Sequence, residues 1–386
     1  MNGSPSRVAI VGASVASAML IERSLELGFS GEFVVIDSDP NAPYDRPPLS
    51  KQFLLGTGPV ERADWWPESV TIINAKAIGL VTAQRTVLLD RLGEIQADAV
   101  VIATGAGSIR LPNEPAGVLS LRTAEDALAI RAAVDAGAKS AVIIGAGTIG
   151  SELASTLAQR GLRVTVVDLA QKPMQRFFSG HLGEEATAWM HQAGVVTHLG
   201  VAVESISRNA ENWTVRVSGE DLQADLVISA VGARPNTEWL SYSGLDIANG
   251  IRCNAHGKAF LANGDVAEEI YAIGDVSSRQ AEDGSFSRFE SWTQAQRHGA
   301  ALAEYFAGFE STELEQAPYG WTEQFGRMIQ VHGTLPPQGE LVQVYAADDR
   351  NAALYRVGPS DEDPAWIGVN APRHFSRASM GLSLLS

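Results

Sequence analysis

The chain has 386 residues, 45% hydrophobic and 19% charged, a globular balance that argues against wholesale disorder and leaves room for about two to four domains. Its net charge of −16 repels phosphate at long range, so it is a poor general binder of nucleic acid or anionic membranes, and it lacks the roughly 18-residue apolar run of a membrane span. The single cysteine, Cys253, excludes an internal disulfide, a CxxC redox pair and a Cys-rich iron–sulfur or metal site, and it suits a reducing cytoplasm.

Residues 7–11 (RVAIV) predict a strand, 12–17 (GASVAS) a tight turn, and 17–28 a helix with Met19, Leu20, Leu25 and Leu27 on one face and Gly28 as its stop. This reading suits the segment better than a signal peptide does. Strand 33–37 follows and ends in Asp37. The pattern recurs as a strand entering a glycine turn at 140–150, a helix at 151–161 and a strand at 162–168 ending in Asp168. The closing strands also match, ADAVVIATG at 97–105 and ADLVISAVG at 224–232. Between turn and closing strand, VTIINA, TVLLD, VAVESI and WTVRV predict a small antiparallel meander in each half. Residues 106–116 are rich in Gly and Pro and mark a boundary. From 318 to 386 the strand-like pieces MIQVHG, LVQVYA and AALYRV predict a separate α+β domain.

A dinucleotide pyrophosphate needs backbone N–H donors at a helix N-terminus and no side chain in the way. Gly145, Gly147 and Gly150 satisfy this pattern, with Ile149 inside the turn and Gly232 at the end of the closing strand. Asp168, 18 residues beyond Gly150, is in position for two ribose hydroxyls and repels a 2′-phosphate, which predicts NADH over NADPH. Lys172 and Arg176 are the residues able to overturn that preference. The first turn keeps Gly12 and Asp37 but has Ser14 and Ser17 at the second and third glycine positions. The expectation is that FAD still binds there. Ser14 would cost about 1 kcal/mol, or roughly fivefold in Kd.

Further strings stand in order along the chain. They are APYDRPPLSK (42–51), ATG (103–105), LRTAEDA (121–127), GARPNTE (232–238), YAIGDV (271–276), RFESW (288–292) and YGWTEQFG (319–326). The ordered set resembles the NADH-dependent ferredoxin reductases of bacterial oxygenase systems, the group of putidaredoxin reductase and biphenyl dioxygenase ferredoxin reductase, over nearly the whole chain. The resemblance implies an α/β flavoprotein with two tandem Rossmann-like dinucleotide-binding domains and a C-terminal α+β domain. It places an FAD domain at 1–112 and 240–312, an NAD domain at 113–239 and the third domain at 313–386.

The resemblance also implies roles. Arg46 contacts FAD, Lys51 lies beside the flavin, Ala103, Thr104 and Gly105 line the FAD site, and Asp275 takes the ribityl hydroxyls. Trp292 lies against the flavin ring, and Glu152 stands near the nicotinamide with Lys51 as its partner. Ser291 and Gln294 predict a capping box opening the helix 292–306, whose positive end would face the flavin. Cys253 reads as part of a late loop far from 43–51, so cysteine-based thiol or peroxide chemistry is not expected. His181, His191 and His198 read as ordinary helix and loop residues, and no metal site is expected.

The implied reaction passes a hydride from NADH to FAD and then single electrons to a small 2Fe–2S ferredoxin serving a P450 or a ring-hydroxylating dioxygenase. An acidic ferredoxin would need a local basic patch, for which Arg288, Arg297, Arg327, Arg373 and Arg377 are candidates. Two alternatives stay open. One is direct reduction of a quinone, a small molecule or dioxygen. The other is an NADH-responsive flavoprotein resembling apoptosis-inducing factor. The sequence leaves monomer and homodimer equally open.

Overall fold

The computed structural model describes residues 5–383 apart from 57, 68, 210–211, 282, 310–316 and 359–363. The expected start of the third domain, at 313, lies outside the described residues. The chain forms two compact units, one of residues 1–45, 60–107 and 234–316 and the other of 46–59, 108–233 and 317–386.

In the first unit, strand β1 (Arg7–Val11) leads through helix α1 (Val15–Glu26) to strand β2 (Glu32–Asp37) and later to strand β3 (Ala99–Ile102). Both β2 and β3 pair with β1 in parallel. Val8, Ala9 and Ile10 are fully buried, because a parallel sheet is covered on both faces. Helix α1 buries Ala16, Leu20, Ile21 and Ser24, whereas Leu25 is 45% exposed and Met19 and Leu27 are half-buried. The core face is therefore one step round from the one the large side chains suggested. Small residues are required because the backbone of a second helix passes over Ala16. A Cβ on Gly299 would stand 2.2 Å from the Ala16 carbonyl oxygen.

The meander is Ala77–Val81, Thr86–Leu89 and Glu94–Gln96. The VTIINA run is not part of it. Ile72–Asn74 adds to β2 in parallel and extends the main sheet, a difference that a short apolar run does not encode.

The second unit repeats the plan. Strand β4 (Ser140–Ile144), helix α2 (Thr148–Gln159) and strand β5 (Arg163–Asp168) precede a meander (Val203–Arg208, Trp213–Val217, Glu220–Ala224) and strand β6 (Leu226–Ser229). The parallel order is β6, β4, β5 and Val196–Leu199. His198 therefore lies on a strand.

The first unit is completed by strand β7 (Val266–Ala272), parallel to β3, and by helix α3 (Trp292–Phe306). Cys253 is not in a loop. It ends strand Ile251–Cys253, is fully buried, and its thiol is pushed up to about 11 by burial.

The second unit ends in an antiparallel sheet ordered β8 (Tyr319–Gln324), Arg327–His332, Ala365–Val369, Ala352–Val357 and Leu341–Ala347. Helix Pro372–Ser379 lays Phe375 on this sheet at Gly368, where a Cβ would stand 2.7 Å from the ring. Among the described residues no helix is long and apolar enough to cross a membrane, and no group of three or more His, Cys, Asp or Glu could hold a metal ion.

Candidate functional site: two dinucleotide loops and a buried ion pair

The first loop is fixed from both neighbouring strands. The Gly12 N–H donates to the Ile36 carbonyl at 2.8 Å and the Ala103 N–H to Val11 at 2.8 Å. Gly12 has φ +110°, and a Cβ there would lie 2.5 Å from the Ala103 oxygen, so glycine is required. The Asp37 carboxylate accepts the Ala13 N–H at 2.6 Å and the Asp39 N–H at 2.7 Å, which fixes its orientation at the end of β2.

The second loop repeats this arrangement. The Gly145 N–H donates to Val167 at 2.7 Å, and the Ala230 N–H donates to Ile144 at 2.7 Å. A Cβ on Gly145, at φ +109°, would lie 2.3 Å from the Ala230 oxygen. Asp168 accepts the Ala146 N–H, and also the Ala170 N–H at 2.7 Å.

The loops differ where the sequence differs. Gly147 caps α2 without a side chain, and a Cβ there would meet nothing within 4 Å, so the approach to the helix N-terminus is open. Its counterpart Ser14 caps α1. Its hydroxyl accepts the Ser17 N–H at 3.4 Å and lies 3.2 Å from the Ser17 hydroxyl, so it is turned into the helix. A Cβ on Gly150 would lie 1.9 Å from the Gly145 oxygen. In the first loop the fully buried Ser17 instead donates its hydroxyl to the matching Gly12 oxygen at 2.7 Å and accepts the Ser14 N–H at 2.7 Å. The serine replaces the tight backbone approach of a glycine with a hydrogen-bonded bridge and keeps the turn closed. Ile149 is 41% exposed on the first turn of α2. Gly232 has φ +118° and accepts the Ile109 N–H at 2.9 Å. Lys172 pairs with Glu184 at 3.4 Å.

The repeat extends to a pair of aspartates that sequence reasoning passed over. Asp98 accepts the Ser6 hydroxyl and the Ser6 and Arg7 N–H groups, and Asp225 accepts the Lys139 and Ser140 N–H groups and the Ser140 hydroxyl. These hydrogen bonds hold both carboxyls below the usual carboxylate range and pin the start of β1 and β4. The matched strings ADAV and ADLV carried the signal.

Elsewhere in the first unit, Thr104 and Asn236 exchange hydrogen bonds, the Thr104 hydroxyl to the Asn236 carbonyl at 3.0 Å and the Asn236 amide to the Thr104 carbonyl at 2.8 Å. The Asn236 N–H donates to Gly105 at 3.0 Å. Asp275 sits in the turn Gly274–Val276, whose Gly274 N–H donates to His298 Nδ1 at 3.2 Å. Burial, with the Arg279 guanidinium nearby, holds the His298 imidazole well below the usual histidine range. Trp292 is half-buried at the first turn of α3. The expected capping box is not formed. The Gln294 amide lies along the helix against His298 Nε2 at 3.2 Å, and Ser291 makes no side-chain cap. One i to i+4 contact has replaced the other end of the box.

In the second unit, Arg46 is exposed ahead of the turn Pro47–Ser50. Lys51 and Glu152 are only 8% and 4% exposed, and Lys51 Nζ lies 2.7 Å from Glu152 Oε2. The lysine also donates to the Pro47 carbonyl at 3.1 Å and lies over the Trp321 ring. The Ser50 hydroxyl donates to Oε2, and the Thr322 hydroxyl donates to Oε1 at 2.5 Å. Sequence reasoning missed Ser50 and Thr322, which lie 102 and 170 residues from Glu152. Among the basic candidates for docking, Arg288 pairs with Glu290, Arg327 lies over Trp189, and Arg377 donates to the Ser383 carbonyl.

Residues 6–299 match the family model described as pyridine nucleotide-disulphide oxidoreductase. The chain belongs to this family. With one cysteine, it is a member without a disulfide of its own. It is 32% identical to the chlorobenzene dioxygenase ferredoxin reductase component of Cupriavidus sp. (strain PS12), over 96% of this chain and 91% of the relative. It is 30% identical, with the same coverage, to the ferredoxin–NAD(+) reductase subunit of the benzene 1,2-dioxygenase system of Pseudomonas putida. The crystal structure of the ferredoxin reductase for the CYP199A2 system from Rhodopseudomonas palustris superposes with a TM-score of 0.88 at 26% identity, over 98% of this chain and 95% of that one. The fold is thus that of the two-dinucleotide flavoprotein reductases.

Proposed function

We propose that this chain is the NADH-dependent reductase of an oxygenase system, moving electrons from NADH by way of FAD to a ferredoxin. The observation that carries the reading is the pair of loops built on one backbone plan, Gly12 with Asp37 and Gly145 with Asp168. Its relatives with this activity match over nearly their whole length.

The residues present fit both nucleotides. The open approach at Gly147 suits a pyrophosphate on the N-terminus of α2. In the first loop the Ser14 hydroxyl is turned inward, so it adds little more than a Cβ to the outer face. Gly12, Ser14 and Ser17 with Asp37 would hold the adenosine diphosphate part of FAD, with Ala103, Thr104 and Gly105 lining it. Asp275 would take the ribityl hydroxyls, and Trp292 would lie against the flavin ring. When bound, FAD supplies the step that accepts two electrons and returns them singly. Gly145, Gly147, Ile149, Gly150 and Gly232 with Asp168 would hold NADH. Lys51 and Glu152 orient the nicotinamide end and keep it from water. The protein's part is alignment and exclusion of water rather than proton chemistry.

The acceptor is a 2Fe–2S ferredoxin serving a P450 or a ring-hydroxylating dioxygenase, and the working compartment is the cytoplasm. NADH-driven cytochrome c reduction should be slow with the reductase alone and rise with added ferredoxin. Full-speed reduction without ferredoxin would overturn this assignment.

A further inference from the structure

Glu152, on helix α2, is held by two elements that are remote from it in sequence. The Pro47–Lys51 segment supplies Lys51 and the Ser50 hydroxyl to Oε2, helix α2 carries the carboxylate, and β8 supplies the Thr322 hydroxyl to Oε1. Thr322 is itself oriented. Its oxygen accepts the Gln324 amide at 3.2 Å, which leaves the hydroxyl hydrogen for Glu152. Ser50, Glu152, Thr322 and Gln324 are all at most 4% exposed. The same strand end also clamps the helix, where the Phe325 N–H donates to the Ser155 hydroxyl at 2.7 Å. Thr156 in turn donates to the Ser50 carbonyl at 2.7 Å.

A carboxylate offers about four acceptor positions. Among the described residues, Lys51 and Ser50 take two on Oε2 and Thr322 takes one on Oε1, which leaves one position on Oε1. Without Thr322, the carboxylate is held through Oε2 alone, and because its terminal torsion is broad and roughly two-fold, the remaining position on Oε1 is no longer fixed. We propose that Thr322 is a positioning residue for the NADH site, fixing Glu152 so that the remaining acceptor position on Oε1 meets an N–H donor of the nicotinamide carboxamide. The proposal rests on the reading of Glu152 as a nicotinamide-orienting residue. It also gives the YGWTEQFG segment a task, carried by Thr322 and Gln324.

The test uses the full-length, FAD-loaded protein, with NAD+ binding followed by calorimetry and NADH kinetics in parallel. A hydrogen bond to a charged group corresponds to roughly a tenfold to hundredfold change in affinity. Thr322→Val, nearly equal in volume, should weaken NAD+ binding and raise KM for NADH by about tenfold, with kcat changed far less. Thr322→Ser should restore both, because it keeps the hydroxyl. Ser50→Ala should shift the Kd in the same direction from the other oxygen. A Thr322→Val protein that is less stable but binds NAD+ like wild type would overturn the proposal, provided Glu152→Gln weakens binding. If Glu152→Gln also binds like wild type, the reading of Glu152 falls and takes the proposal with it.

Discussion

Gly150→Ala tests the assignment of the second loop. A Cβ at residue 150 would lie 1.9 Å from the Gly145 carbonyl oxygen and 2.9 Å from its carbon, both backbone atoms. Ordinary contact begins near 3.4 Å, so the turn and the start of α2 must part by about 1.5 Å. Overpacking of this kind costs about 1–3 kcal/mol of stability. The functional cost falls at the upper end of the same range. Phosphate hydrogen bonds weaken steeply beyond their usual range of roughly 2.7–3.2 Å, and displacements near 1 Å cost about a hundredfold. The expected result is a fall of about a hundredfold in kcat/KM for NADH, or about 2.7 kcal/mol. FAD should stay bound with an unchanged visible spectrum, because Gly150 belongs to the other unit. Stopped-flow reduction by NADH, beside a flavin spectrum and a thermal melt, reads all three quantities. A folded, yellow Gly150→Ala protein reduced by NADH at close to the wild-type rate would refute the reasoning.

Three further outcomes follow from the same geometry. Lys51→Met strands the buried Glu152 carboxylate and should cost about 3–5 kcal/mol in denaturant unfolding, while Lys51→Met with Glu152→Leu should recover much of it; equal losses in the single and double variants would contradict this. His298 is neutral in the fold and charges in the unfolded chain, so the unfolded state binds more protons between the lowered folded pKa and about 6.5. Its share of stability is therefore present above about pH 6.5 and is lost as pH falls, by at most about 1.4 kcal/mol per pH unit; denaturation midpoints of wild type and His298→Asn from pH 5 to 8 should show a shallower slope in the variant. Asp168→Asn should remove the charge facing a 2′-phosphate and cut the preference for NADH over NADPH by about tenfold in kcat/KM.

The two β-α-β repeats were legible because three local signals coincide in each: a Val/Ile-rich strand, a glycine that must adopt a positive φ, and an acid at the end of the next strand. The serine-bearing first turn was legible as a departure, but not its repair, since the bridge from the Ser17 hydroxyl to the Gly12 carbonyl depends on the rotamer. Leu25 misled because a large side chain marks a helix face only when no close helix crossing demands Ala and Ser there. The capping box at Ser291 failed because Gln294 has a second partner, His298, four residues along the same helix. Thr322 and Ser50 could not be found from spacing at all. Their common partner is Glu152, and only the packing of β8 and the Pro47–Lys51 segment on α2 brings them to it.

The most direct measurement of the central claim is an anaerobic titration of the FAD-loaded protein with NADH, followed in the visible spectrum. The account predicts flavin bands that bleach with about one NADH per flavin, since each nucleotide carries one hydride. A protein that takes up no FAD, or one whose flavin bands survive excess NADH, would contradict it.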